Sequence, residues 1–189
     1  MTDSVLEVRG LRTYLGGYDD PVRAVDGVSF DIRAGECFAL LGESGCGKSM
    51  TALSLLRLLP ANGRIVGGEI LFRGQDLLRL PEASMRKVRG GGVGMVFQEP
   101  MTSLNPVMTV GDQIAEALQR HAGNHDGGGH ARRRVMELLE AVRIPDPKRR
   151  IDEYPHHLSG GMKQRVVIAA ALAGDPALLI ADEIGRAHV

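Results

Sequence analysis

Two kinds of apolar pattern run along this chain. Residues 5–11, 25–32 and 65–72 place apolar and polar side chains at alternate positions, the period of a strand with one face covered and the other in water. They predict an antiparallel sheet. Cys37–Leu41, Val93–Phe97 and Ala177–Ala181 are instead unbroken apolar runs, as strands read when helices cover both faces of a parallel sheet. Helical spacing fills the intervals. Lys48–Leu59 carries Met50, Leu53, Leu55, Leu56 and Leu59, and Met162–Ala173 carries Val166, Val167, Ile168, Ala170, Ala171 and Leu172. Val110–Arg120 and Ala131–Val142 are two further helical patterns. The whole predicts an α/β protein with a parallel core, a smaller antiparallel sheet beside it, and a helical part between Val93–Phe97 and the last strand.

Chemistry gathers where these patterns change. Gly42-Glu43-Ser44-Gly45-Cys46-Gly47-Lys48-Ser49 joins the apolar run 37–41 to a helical one and fits G-x-x-x-x-G-K-[ST] at every fixed position. Such a loop turns successive backbone N–H groups inward as an anion nest at the positive end of a helix. Lys48 is then placed for β- and γ-phosphate oxygens and the Ser49 hydroxyl for Mg²⁺. Near the other end, Asp182 and Glu183 close the run Ala177–Ala181, a place where carboxylates can hold a metal ion and orient water. Leu158-Ser159-Gly160-Gly161-Met162 opens the last helix. Ser159 is a natural N-cap, and the two glycines leave the first-turn N–H groups uncovered, so a second phosphate site is predicted there. A capped helix after a loop would satisfy the same three residues.

With these segments, Val96-Phe97-Gln98-Glu99-Pro100-Met101-Thr102-Ser103-Leu104-Asn105-Pro106 and Tyr154-Pro155-His156-His157, the chain resembles the ATP-binding subunits of ATP-binding cassette (ABC) transporters. It is most similar to those of bacterial dipeptide and oligopeptide importers, from about Val5 to Glu183. The resemblance implies a P-loop NTPase (RecA-like) core with antiparallel β and helical subdomains, the C-terminal part of the core being missing. It implies residues 1–99 as the first part of the core, 100–157 as the helical subdomain, 158–183 as signature helix and Walker B strand, and 184–189 as a non-native tail. By the same resemblance Gly42, Glu43, Ser44, Gly45, Cys46, Gly47, Lys48, Ser49 and Met50 bind ATP, and Tyr14 stacks on adenine, with Tyr18 its rival. Ser49, Gln98 and Asp182 hold Mg²⁺, while Glu183, Gln98 and Lys48 are catalytic. Leu158, Ser159, Gly160, Gly161 and Met162 close over ATP held by a second ABC subunit, identical or not. The implied partners are that subunit, integral-membrane permeases and, indirectly, a periplasmic or lipoprotein solute-binding protein. The implied place is the cytoplasmic face of the membrane.

Composition narrows this further. Lys+Arg and Asp+Glu are 23 each, so no basic excess points to nucleic acid. No leader-like start or bilayer-length apolar run is read. Cys37 and Cys46 lack framework spacing and read as free thiols. His121, His125 and His130 lie in or beside a glycine-rich stretch without the carboxylate or thiol set of a metal site. Members of the family continue after the catalytic glutamate with Pro-Thr, an aspartate-bearing loop, another strand and a switch histidine. Here Glu183-Ile184-Gly185-Arg186-Ala187-His188-Val189 is what GAGATCGGAAGAGCACACGTC, a sequencing adapter, encodes. Ile184–Val189 are therefore expected to be foreign and the chain as written nearly inactive. A non-transport ABC ATPase of repair or translation, and an inert nucleotide-binding fragment, are the other readings.

Overall fold

A computed structural model describes residues 4–97, 103–121 and 128–182, with residues 128–130 as backbone only. The chain divides into two compact units, Met1–Met85 and Arg86–Val189.

In the first unit β1 (Ser4–Leu15) lies between β2 (Val22–Arg33) and β3 (Gly63–Phe72), and β4 (Gln75–Asp76) borders β3. All pairings are antiparallel, as the alternation predicts. The strand outruns residues 5–11 because its phase changes once. Leu6 and Val8 are buried, then Leu11 and Thr13, and the ladder with β2 slips between Val8 and Leu11. An extra residue there, a β-bulge, keeps the same face covered after the odd and even positions exchange. Gly68 makes room for it: a Cβ on this residue would stand 2.6 Å from Leu11 Cα and 2.7 Å from Gly10 O.

Helix α1 (Lys48–Leu55) packs against β1 and β2. A buried hydroxyl pair joins it to the sheet. Ser54 Oγ donates to Met50 O at 2.6 Å and lies 2.8 Å from Thr13 Oγ1. Since Ser54 has one proton to give, Thr13 is the donor between them. The helix stops at Leu55 rather than Leu59. Arg57 takes φ 53°, and its guanidinium donates to Leu80 O at 2.6 Å, so the chain turns where the pattern alone continues. Helix α2 is Glu82–Lys87, with Met85 buried.

The predicted strand Cys37–Leu41 does not form. These residues join no ladder and are exposed, with Phe38 stacked on Phe30 of β2 at 4.9 Å. An apolar run supplies the side chains for a covered strand, but the strand exists only where a neighbour takes its N–H and C=O groups. Among the described residues no strand does so.

In the second unit a turn over Val88–Gly92 leads into β5 (Val93–Val96), which pairs in parallel with β6 (Leu178–Ala181). Between them come helices α3 (Val110–His121), α4 (Gly128–Ala141), α5 (Pro147–Arg150) and α6 (Gly160–Leu172), with a 3₁₀ turn over Pro155–His157. Ile114 of α3, Leu139 of α4, Ile151 after α5 and Val166 of α6 sit in one core. Thr109 and Asp112 cap α3: the Thr109 hydroxyl accepts from Asp112 N at 3.1 Å and donates to the Asp112 carboxylate at 2.7 Å. Helix α6 lies on β5 at backbone range, since a Cβ on Gly94 would stand 2.5 Å from Ala171 O. The expected burial of β6 on both faces is not met: Leu179 is 38% exposed and Ala181 is exposed. Helices cover a parallel strand only on the faces they reach.

The short α5 and its ion pairs were not legible as a pattern. Arg132 of α4 grips Asp152 through two hydrogen bonds of 2.9 and 2.8 Å, and Arg149 and Arg150 both pair with Glu153. Hydrogen bonding to Arg132 holds the Asp152 carboxyl below its ordinary range, and hydrogen bonding to Arg150 does the same for Glu153. Lowered carboxyl values stabilise the fold above the unfolded-state value, and that share is lost as pH falls through the folded-state value. The helical part is therefore expected to melt earlier below about pH 4. Arg132→Gln should return Asp152 to the ordinary carboxyl range in an NMR titration. An unmoved Asp152 titration would contradict the assignment.

Candidate nucleotide site

The loop before α1 is shaped by two glycines in left-handed conformation, Gly45 at φ 83° and Gly47 at φ 95°. Gly47 is also the N-cap of α1, where it brings no side-chain cap, and the first turn holds no acidic residue. The helix start thus keeps its positive end available to an anion. Gly47 cannot carry a side chain, because a Cβ would run into the carbonyl oxygen of Ala24 in β2. Lys48 folds back over the loop. Its ammonium donates to Gly42 O at 2.8 Å and Glu43 O at 2.7 Å, with Cys46 Sγ at 3.8 Å. A cation at the loop's mouth, glycine turns and an uncapped helix together fit a chain of phosphates. Gly42–Cys46 are exposed, while Lys48, Ser49 and Met50 are half-buried in the first turn. Thr51, which sequence reasoning missed, donates its hydroxyl to Gly47 O at 2.9 Å and so ties the loop's last glycine to the helix.

Tyr14 lies within β1, opposite Arg23 of β2 and Arg64 of β3. Its hydroxyl donates to Asp26 at 3.4 Å, and the Arg23 guanidinium stands 5.8 Å from the ring centroid. Because Gly47 touches Ala24, the neighbour of Arg23, the loop and Tyr14 meet the same stretch of β2. Tyr18 stands in the hairpin loop, 86% exposed, with the Arg64 guanidinium 4.2 Å from its ring centroid.

In the second unit the register sets Val96 beside Ala181, and Asp182 N extends the ladder by donating to Val96 O at 3.0 Å. The segments toward Gln98 and toward Glu183 therefore leave the pair at the same end. Asp182 is half-buried there; Gln98 and Glu183, like the tail Ile184–Val189 and His125, lie outside the described residues. Ser159 takes the expected place, an extended N-cap whose hydroxyl accepts from Met162 N at 3.4 Å. Leu158 is buried, whereas Ser159, Gly160 and Gly161 are exposed and Met162 is half-buried. A Cβ on Gly161 would meet nothing within 4 Å. Cys37 and Cys46 are free and exposed. Among the described residues no group of three His, Cys, Asp or Glu could hold a metal ion, and no helix is long and apolar enough to cross a membrane.

Fold and loop define a P-loop NTPase of the mixed α/β class. A family profile described as "ABC transporter" matches residues 25–185, and the chain belongs to that family. It is 53% identical over 182 residues to the "Probable peptide ABC transporter ATP-binding protein y4tR" of Sinorhizobium fredii, covering 96% of this chain and 54% of that protein. To the "Dipeptide transport ATP-binding protein DppD" of Bacillus subtilis it is 50% identical with the same coverage, 96% and 54%. The chain thus spans about half the length of the curated relatives it matches. Among solved structures it is similar to the dimeric bacterial ABC transporter cassette MJ0796, with TM-score 0.82 and 26% identity over 94% of this chain and 73% of that one. The same cassette in a post-hydrolysis state bound to ADP and Pi aligns with TM-score 0.82 and 26% identity, covering 96% and 75%.

Proposed function

We propose that this chain is the nucleotide-binding and hydrolysing part of a subunit that energises the import of dipeptides or oligopeptides. The observation that carries the reading is its agreement, over 96% of its length, with ATP-binding proteins named for peptide transport. The loop chemistry supports it. Two neutral carbonyls now hold the Lys48 ammonium, and the β- and γ-phosphates of ATP, being charged, replace them with stronger bonds. Gly42 to Met50 cradle the phosphates, and Tyr14 stacks on the adenine. Ser49, Gln98 and Asp182 would hold Mg²⁺, which would supply positive charge against the phosphates. Glu183 orients and polarises the attacking water.

Leu158 to Met162 serve a different nucleotide, the one held by a second cassette. The two subunits close head to tail, and a membrane-embedded permease follows their opening and closing. A solute-binding protein meets the permease on the far side, and the cassette itself lies peripherally at the cytoplasmic face. Residues 1–99 and 158–183 supply the core and 100–157 the helical subdomain.

Gly161→Asp tests the reading in the native-length protein. A Cβ at Gly161 has nothing within 4 Å, and a carboxylate in the first turn of α6 favours the helix by a few tenths of a kcal/mol to about 1 kcal/mol. It repels a phosphate brought there by a partner. Turnover is expected to fall about a hundredfold or more, with the melting temperature kept and ATP binding to the variant's own loop changed less than about twofold. Unaltered turnover would remove the signature from the mechanism.

A further inference from the structure

His121 stands beside a glycine-rich stretch in sequence, yet its ring packs within the fold. It closes α3 and is half-buried. The ring rests on backbone that has no side chain to offer. A Cβ on Gly90, whose φ is 84°, would run into the imidazole, and one on Gly91 would stand 3.8 Å from Nδ1. Gly174, just past α6, meets the same turn, because a Cβ there would run into Gly90 O. Two elements far apart in sequence thus hold the turn Val88–Gly92.

That turn sets the parallel pair. Gly92 O accepts from Ala177 N at 2.9 Å, Val93 stands beside Leu178, and at the far end Val96 O accepts from Asp182 N. Four residues of β5, at about 3.3 Å each, separate the turn from the carboxylate's end of the ladder. So short a pair passes a displacement along rather than absorbing it.

The charged side chains of the elements around the ring are Arg120 and Glu116 of α3, which pair with each other, Arg89 of the turn and Asp175 beside Gly174. Burial, and after it the charge of Arg120, hold the imidazole below its ordinary range. A neutral ring keeps this seat, whereas a charged one would leave water beside a guanidinium. Because the folded-state value is the lower of the two, the seat's contribution is whole above the unfolded value of about 6.5 and is lost as pH falls through the folded one.

We propose that His121 is a positioning residue for Asp182: seated neutral on Gly90 and Gly91, it holds the turn that sets the β5–β6 register, and its protonation loosens that turn and slows hydrolysis. The link to hydrolysis rests on the ATPase reading; the link to Asp182 does not.

The test compares the native-length protein with His121→Phe, which keeps a flat ring and takes no proton, between about pH 8 and about pH 5.5. Two quantities are followed: amide protection over residues 93–96 and 177–182, with the intrinsic pH dependence of exchange removed, and ATP turnover. On acidification the parent is expected to lose about tenfold more protection and about fivefold more turnover than His121→Phe. His121→Gln should flatten both profiles in the same way, so that a misfit of the larger ring cannot imitate the result. Equal pH dependence of protection in the parent and both variants would overturn the proposal, as would a turnover profile that neither substitution changes in an active parent. A parent that shows the protection difference but hydrolyses no ATP at any pH would overturn the ATPase reading and support the placement of Asp182.

Discussion

Gly47→Ala is expected to abolish ATP binding in the native-length protein and to lower its melting temperature, two losses that the neighbouring Lys48→Ala should separate. The alanine Cβ would occupy the space of the Ala24 carbonyl in β2, at a residue whose φ is 95°. A side chain in that conformation costs about 1–3 kcal/mol before any clash is relieved. Relief requires the loop to leave β2 and take the start of α1 with it, so stability and phosphate site fail together. Lys48 makes its hydrogen bonds within the loop alone, to two carbonyls and the Cys46 sulfur. Replacing it should keep the melting temperature within about 2 °C while removing the phosphate's principal cation. Fluorescent-nucleotide titration and thermal melts of both variants decide the matter. A Gly47→Ala protein with parental nucleotide affinity would show that the contact with β2 does not shape the site.

The polypeptide of residues 1–189, expressed by itself, is expected to self-associate at micromolar concentration and to hydrolyse little ATP. Leu41 is 87% exposed, Phe97 45% and Leu179 38%, and Phe38 and Leu40 are exposed beside the phosphate loop. Leu41, nearly fully exposed, forgoes most of the about 1.5–3 kcal/mol that burial would supply and the others less than half of it, and β6 presents an unpaired edge among the described residues. Light scattering on a sizing column checks the prediction, and Leu41→Asp with Leu179→Lys should raise the soluble fraction. A monomer with robust turnover would contradict it.

Period and punctuation read out much of this fold. The three alternating stretches became the antiparallel sheet, and Val110–Arg120, Ala131–Val142 and Met162–Ala173 became helices within a few residues at either end. Ser159 announces its own cap, because serine is a favoured N-cap and stands directly before a helical apolar pattern. What could not be read depends on partners distant in sequence. Cys37–Leu41 has the side chains of a covered strand and no neighbour to pair with. The bulge near Gly10 is invisible in residues 5–11 alone, since it shows only when the buried positions change parity. Arg57 ends α1 by reaching Leu80, a contact without a local signal. For the site, the octet predicted the glycine turns, but the fit of Gly47 against Ala24 and the fold-back of Lys48 are matters of tertiary contact. Gln98 and Glu183 rest on the resemblance alone.

The hydrogen bond from Asp182 to Val96 also sets how this chain can tolerate length variation. Side chains along a strand change faces at every step, so deleting one residue from 93–96 or 178–181 would invert the strand and move the acidic group off its end. Residues 16–21 form a hairpin connection whose ends are already held by β1 and β2, and an added residue there costs only a little loop entropy. A scan of single-codon insertions and deletions should therefore find the short parallel pair intolerant and the hairpin permissive.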